Sequence, residues 1–105
     1  MRRPYRLTPA AQASVRGILR WTTERFGPRQ ADAYEERLLA AFARIADGTL
    51  TTRSARAAWG EEVPEDLRFA RVGSHVVLVR ETGGRIEVVN VLHGVRDLAS
   101  WARRS

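Results

Sequence analysis

The strongest constraint on the fold is the last third of the chain, where two apolar runs flank a pair of glycines. Residues 75–81 and residues 85–92 are rich in valine, and the glycines stand at positions 83–84. β-Branched residues favour extended strands, and consecutive glycines favour the tight turn of a hairpin. In residues 67–72, two arginines interrupt a run of apolar side chains, and we interpret this segment as a strand. We therefore predict three consecutive antiparallel strands, to which residues 3–7 can add an edge strand.

Two stretches upstream have the period of amphipathic helices. The first begins at Thr8, a good N-cap residue, with Pro9 at the first helical position, where a missing N–H costs nothing. The second covers residues 31–47, and the Gly-Pro pair at 27–28 between them predicts an antiparallel helical hairpin. The predicted apolar stripe of the first helix consists of Ala11, Val15, Ile18, Thr22 and Phe26.

Two further segments complete the predicted fold. Residues 48–63 follow neither period and are predicted as a loop, with or without a short turn of helix, that Trp59 anchors to the core. A short C-terminal segment, residues 95–104, closes the chain with Trp101 as its hydrophobic contact. The predicted fold class is α+β: an N-terminal strand, an antiparallel helical hairpin packed on an antiparallel sheet of three or four strands, and this C-terminal segment. The 105 residues fit a single domain.

The charge balance indicates acidic partners. All 18 basic residues are arginines, and the formal net charge is +6. Arginine presents a planar set of donors suited to phosphate and carboxylate, so nucleic acid, a nucleoprotein complex or an acidic protein segment are the expected partners. The lack of cysteine excludes disulfides and thiolate catalysis. With neither a secretory signal nor an apolar run long enough for a membrane span, we expect a cytoplasmic protein that does not bind membranes.

Several short motifs follow one another in the same order as the predicted elements. They are Tyr5-Arg6-Leu7-Thr8-Pro9-Ala10-Ala11, Gly27, Gln30-Ala31, Leu67-Arg68, Gly73-Ser74-His75-Val76-Val77, Arg80, Val91-Leu92-His93-Gly94 and Arg96-Asp97. In their order and spacing, the chain resembles the ParE branch of the RelE/ParE superfamily, the toxins of bacterial type II toxin–antitoxin modules. The resemblance extends from about Tyr5 to Trp101. Val79 departs from it, because members often carry an aromatic residue just before the arginine of this strand.

The resemblance implies a growth-inhibiting toxin of a plasmid- or chromosome-stabilising module, which a ParD-like antitoxin neutralises in a hetero-oligomer. ParE-like toxins typically bind DNA gyrase and stabilise its cleaved-DNA complex, without covalent chemistry of their own. RelE-like relatives instead cut mRNA in the ribosome, often with a C-terminal tyrosine. A third alternative is a relative that has lost toxicity and remains an antitoxin-binding module. We expect no cofactor and no metal.

The residues present favour the gyrase inhibitor over the ribosome-dependent mRNA interferase. A ribonuclease without metal needs groups that accept and donate protons near neutral pH, together with cations for the phosphorane. Only His75 and His93 titrate in that range, and Gly94 stands where the ribonuclease branch commonly has a tyrosine. We therefore expect no catalytic residue and keep the interferase as the alternative. For both histidines, a local structural hydrogen bond is the competing interpretation.

Candidate contact residues fall into two groups. Those for the target are Arg68, Arg71, Arg80, His93 and Arg96. Those for the antitoxin are Trp21, Leu39, Arg53 and Arg56. Strand arginines have apolar neighbours, so their guanidinium groups must emerge at an edge or a concave face. Trp21 and Leu39 lie off the apolar stripes and either form a groove for a partner helix or pack beneath residues 48–63.

Overall fold

The computed structural model describes residues 3–94, which form five strands and three helices. In chain order these are β1 (Tyr5–Leu7), α1 (Pro9–Phe26), α2 (Pro28–Asp47), β2 (Arg53–Ser54), α3 (Ala55–Trp59), β3 (Arg68–Val72), β4 (His75–Thr82) and β5 (Arg85–Leu92). The predicted α+β architecture is confirmed. The predicted C-terminal segment, including Arg96 and Trp101, lies outside the described residues. Within residues 3–94, no helix is long and apolar enough to cross a bilayer.

The strands form one sheet in the order β1-β5-β4-β3-β2. The predicted antiparallel succession of β3, β4 and β5 is confirmed. The sheet differs from the prediction in two details. The edge strand β1 pairs parallel with β5, placing Arg6 opposite Glu87, and β2, a pair of residues from the predicted loop, extends the other edge. A long connection separates β1 from β5, so the chain can return in the parallel direction.

The helical hairpin forms where the sequence predicts it. The hydroxyl of Thr8 accepts a hydrogen bond from the backbone N–H of Ala11 at 3.1 Å and donates one to the carbonyl of Val89 at 2.7 Å. Thr8 therefore caps α1 and ties its start to β5. Gly27, with a φ of +93°, ends α1 and begins α2. The prediction that Phe26 belongs to the buried stripe of α1 is wrong, since this last residue of the helix is 59% exposed.

The sheet has an apolar core on each face. On one face, the helical hairpin packs against Val77 and Val79 of β4. On the other face, α3 and the segment after it cover Val76 and Leu78. The central strand β4 is thus buried on both faces. The segment that was predicted as a loop buries the second face. Trp59 anchors this cover as predicted, with its ring centroid 4.1 Å from that of Phe69.

Candidate functional site

Tyr34, His75 and His93 form a continuous chain of contacts at one end of the sheet. The Tyr34 hydroxyl donates a hydrogen bond to the carbonyl of Val72 at 3.0 Å, and its oxygen lies 2.5 Å from Nδ1 of His75. Because the hydroxyl proton points at the carbonyl, we assign the imidazole proton to Nδ1, which donates to the tyrosine oxygen. The rings of His75 and His93 meet edge to face, with centroids 5.1 Å apart.

Burial sets the protonation states in this cluster. It lowers the pKa of His75, and the neighbouring His93 lowers it further. Burial also raises the pKa of Tyr34, against an opposing effect of the Arg37 guanidinium. Both Tyr34 and His75 are therefore uncharged at neutral pH. The hydrogen bond predicted for His75 was a local one that stabilises the turn, whereas the bond observed at its Nδ1 is with Tyr34, 41 residues away.

The turn between β3 and β4 leaves room for the tyrosine. Gly73 has a φ of +59°, and a Cβ there would lie 3.0 Å from the Tyr34 hydroxyl oxygen. Tyr34 is not among the candidates predicted from the sequence, because it lies 41 residues before His75 along the chain. The usable signal was its place on the inner face of α2, one helical turn before Leu38, which is fully buried.

The strand arginines differ in the hydrogen bonds and ion pairs that they make within the fold. Arg68 donates to the hydroxyl of Thr52 at 2.8 Å and to its carbonyl at 2.7 Å. The half-buried Arg80 lies with Nε 3.3 Å from Oδ2 of Asp66, close enough for an ion pair although the alignment is not that of a hydrogen bond. Arg71 is exposed and makes no side-chain hydrogen bond or ion pair with another described residue.

Arg71, a candidate for contact with the target, lines a cleft together with Arg53, a candidate for contact with the antitoxin. The cleft has a volume of about 500 Å³ and is lined by Leu50, Thr51, Arg53, Ala58, Trp59, Phe69, Ala70 and Arg71. Arg53 and Arg71 line it together with the rings of Trp59 and Phe69. Arg56 is instead engaged internally, donating to the carbonyls of Val63 at 2.9 Å and Glu61 at 3.3 Å. These hydrogen bonds stabilise α3 and the segment after it, which pack on the second face of the sheet.

A second, largely apolar groove runs beside the histidines. Gly17, Ile18, Trp21, His75 and His93 line its volume of about 350 Å³. The groove brings together Trp21, an antitoxin candidate, and His93, a target candidate.

The exposed apolar residues of the hairpin settle one of the alternatives raised by the sequence. Trp21 is 50% exposed and Leu39 is 45% exposed, so the alternative that both pack beneath residues 48–63 is wrong. Trp21 contacts the ring of Phe26 edge to face at 5.9 Å, and the Arg25 guanidinium lies 5.2 Å from its ring centroid. Across the part of the chain that the structure describes, no three potential metal-ligating side chains come together.

Comparisons with known proteins agree with this architecture. Residues 5–98 match the family model of the ParE toxin of the type II toxin–antitoxin system parDE. A toxin ParE1 of Mycobacterium tuberculosis is 38% identical over 95 residues, covering 90% of this chain and 92% of the relative. A toxin ParE1 of Caulobacter vibrioides is 33% identical over 91 residues, covering 87% and 88%. A solved structure of the chromosomal ParDE system from P. aeruginosa, at 15% identity, has the same fold, with a TM-score of 0.72 over 89% of this chain and 97% of that chain.

Proposed function

Because the chain belongs to the ParE family of type II toxins, we propose that it inhibits DNA gyrase by stabilising the enzyme's complex with cleaved DNA. A ParD-like antitoxin neutralises it by binding. The observation that carries this proposal is the match of residues 5–98 to the toxin family, supported by relatives that are curated as ParE toxins. The neighbour of known structure is described as a ParDE system, which supports an antitoxin partner. Gyrase acts on the chromosome, so this function requires a location in the cytoplasm.

The state of the histidine cluster supports inhibition by binding rather than by chemistry. His75 is buried, and its Nδ1 is held by Tyr34. A general base must be able to reach the proton it removes, and a phosphorane needs cations beside it. The Tyr34 hydroxyl already donates to the carbonyl of Val72, so it is not placed to protonate a leaving group. These contacts favour the gyrase inhibitor over a ribosome-dependent mRNA interferase.

The arginines supply the proposed contacts with the target. Arg71 is the first candidate, because it is exposed and has no ionic partner among the described residues. Arg53, across the same cleft, adds a second guanidinium suited to phosphate or carboxylate. Arg68 and Arg80 are held more firmly by neighbouring groups. The further target candidates are His93 and Arg96. For the antitoxin, the proposed contacts are Trp21, Leu39, Arg53 and Arg56.

A cleavage assay tests the function. The purified chain, free of antitoxin, is mixed with DNA gyrase, ATP and supercoiled plasmid, and the enzyme is then denatured. We expect linear DNA to accumulate with dose, because a stabilised cleavage complex releases broken DNA on denaturation. Prior addition of the antitoxin should suppress the accumulation.

Absence of linear DNA with a folded chain would contradict the proposal. The same preparation would then be added to translating ribosomes, where mRNA cut at the ribosomal A site would establish the interferase. A chain inactive in both assays that still binds the antitoxin would be an antitoxin-binding relative without toxicity. In cells, gyrase inhibition induces the DNA-damage response, whereas an interferase stops translation first.

A further inference from the structure

The cleft that contains Arg53 and Arg71 combines two kinds of side chain, guanidinium groups and aromatic rings. The rings are those of Trp59, which is half-buried, and Phe69, which is buried, and their centroids lie 4.1 Å apart. The other side chains of the lining are small or aliphatic, and none is acidic. Rings together with cations suit a ligand that is both planar and anionic.

The sheet places both arginines beside the same ring. Arg53 of β2 is paired with Phe69 of β3, so their side chains lie on the same face of the sheet. Arg71 follows Phe69 by two residues along β3, and side chains two residues apart on a strand also share a face. Both guanidinium groups therefore belong to the face on which Trp59 packs against Phe69.

The fold leaves the donors of these two arginines available to a ligand. Arg53 and Arg71 are exposed, and neither makes a side-chain hydrogen bond or an ion pair with another described residue. Arg56, Arg68 and Arg80, in contrast, contact oxygen atoms of the chain itself. Two guanidinium groups beside a cleft without carboxylates produce a positive potential, which selects an anionic ligand.

A nucleotide has the chemistry that this lining requires. Its base is a planar ring system that stacks on aromatic side chains, and its phosphates accept hydrogen bonds from guanidinium groups. A peptide rich in carboxylates would pair with the arginines and leave the rings without a partner. The volume of about 500 Å³ lies within the range of pockets that hold one small molecule, so one nucleotide fits.

The nucleotide must come from a single strand. In a duplex, each base is stacked between its neighbours and presents only its edge to the grooves. A single strand exposes the faces of its bases, and proteins that bind single strands combine a basic groove with aromatic rings. The choice of DNA over RNA rests on the proposed function, because a chain bound to gyrase and its cleaved DNA has DNA strands beside it.

We propose that the cleft binds one unpaired nucleotide of single-stranded DNA, with the base stacked on Trp59 and the adjoining phosphates bound by Arg53 and Arg71. The chain then contacts a DNA strand itself, in addition to the gyrase protein. Binding does not depend on sequence, because every base has a face that can stack. It weakens as salt rises, because phosphate contacts release counterions.

Fluorescence anisotropy of the full-length chain with labelled oligothymidine of about 12 nucleotides measures the affinity. The matched probe has the same length and phosphates but carries no bases. We expect this abasic probe to bind at least about fivefold more weakly, because stacking is lost. Equal affinity for the two probes would overturn the inference. Displacement of oligothymidine by hexaglutamate as readily as by unlabelled oligothymidine would also overturn it, and would assign the cleft to an acidic peptide.

Two alanines of α3 provide matched variants that leave Trp59 in place. Ala58 lines the cleft and Ala57 does not, and both are exposed. Ala58→Glu should weaken oligothymidine binding by about tenfold or more, because it brings a carboxylate beside the phosphates. Ala57→Glu makes the same change in net charge and should weaken binding by less than about threefold. Equal losses in the two folded variants would assign binding to diffuse charge and overturn the inference.

The salt dependence tests the phosphate contact. Arg71→Gln should lower the slope of log Kd against log salt by about 0.7, the value for one phosphate of a single strand. Arg85→Gln, at an exposed position outside the cleft, should leave the slope unchanged. An unchanged slope in Arg71→Gln would contradict the assigned contact.

The gyrase cleavage assay separates this inference from the proposed function. Linear DNA produced by a chain that binds both probes equally would overturn the inference and leave the proposed function standing. Tighter binding of oligothymidine than of the abasic probe, without linear DNA in the gyrase assay, would support the nucleotide site and overturn the proposed function.

Discussion

At the scale of single residues, the burial of His75 makes stability depend on pH. His75 is neutral in the folded chain, because burial and the adjacent His93 lower its pKa below the ordinary value. As pH falls below about 6.5, the unfolded chain therefore binds a proton before the folded chain does. This contribution to stability is fully present above that pH and is lost progressively down to the folded pKa. Arg37, near the Tyr34 ring, adds a positive charge on the same side and does not favour protonation.

Replacing His75 by glutamine should flatten this acid dependence. The free energy of unfolding of the wild-type chain is expected to fall as pH drops below about 6.5, and that of His75→Gln to fall less. Urea denaturation at several pH values measures both slopes. His93→Gln keeps the buried histidine but removes the neighbour that helps to lower its pKa, so it should weaken the acid dependence only in part. Equal slopes in the wild type and His75→Gln would show that another group controls the acid response.

Substitution of Tyr34 and of Tyr5 by phenylalanine compares the contribution of a tyrosine hydroxyl to stability at two positions. Tyr34→Phe leaves the carbonyl of Val72 and Nδ1 of His75 without their partner, so we expect a loss of about 1–3 kcal/mol. Tyr5 packs its ring against Phe42 and makes no side-chain hydrogen bond within residues 3–94, so Tyr5→Phe should change stability by less than about 0.5 kcal/mol. Chemical denaturation of both variants gives the comparison. Similar values would mean that the Tyr34 hydroxyl contributes little.

At the scale of elements, the sequence pattern predicted the helices and strands that have a regular apolar period. It missed the contacts between residues that lie far apart in the chain. The helical hairpin and the strands from β3 to β5 follow from apolar periods and glycine positions. The parallel pairing of β1 and the Tyr34–His75 contact, 41 residues apart, depend on how the hairpin packs on the sheet. No local pattern carries that information. Asn90 is an intermediate case, because an amide within a valine run is visible in the sequence although its role is not.

Asn90 couples α1 to an irregularity in β5. The register between β4 and β5 shifts at Leu78 and Val79. Beside it, Oδ1 of the buried Asn90 accepts hydrogen bonds from the Ser14 hydroxyl at 2.6 Å and the N–H of Val91 at 2.8 Å. Asn90→Ala removes the acceptor of both and should cost about 2–3 kcal/mol. Ser14→Ala removes one and should cost about 1 kcal/mol; equal losses in thermal unfolding would contradict this account.

At the scale of the whole molecule, the excess of arginine can act either as diffuse charge or through particular positions. A net charge of +6 attracts nucleic acid over the entire surface and is screened by salt. The fold nevertheless distributes its arginines unequally. Arg56 and Arg68 donate to neighbouring oxygens, and Arg80 lies against Asp66. Arg71 remains exposed beside the cleft that also contains Arg53. Specific recognition should therefore depend on this cleft more than on total charge.

Reversing one charge at each end of the sheet distinguishes these two mechanisms. Arg71→Glu places a carboxylate in the cleft and should reduce the yield of gyrase-linearised plasmid by about tenfold or more at equal dose. Arg85→Glu makes the same change in net charge at an exposed position by the β4–β5 turn, whereas Arg71 lies opposite Val76 near the other end of β4. Both side chains are exposed, so neither variant should lose much stability. If the two variants weaken gyrase poisoning equally, diffuse charge drives binding; if only Arg71→Glu does, the cleft contacts the gyrase–DNA complex.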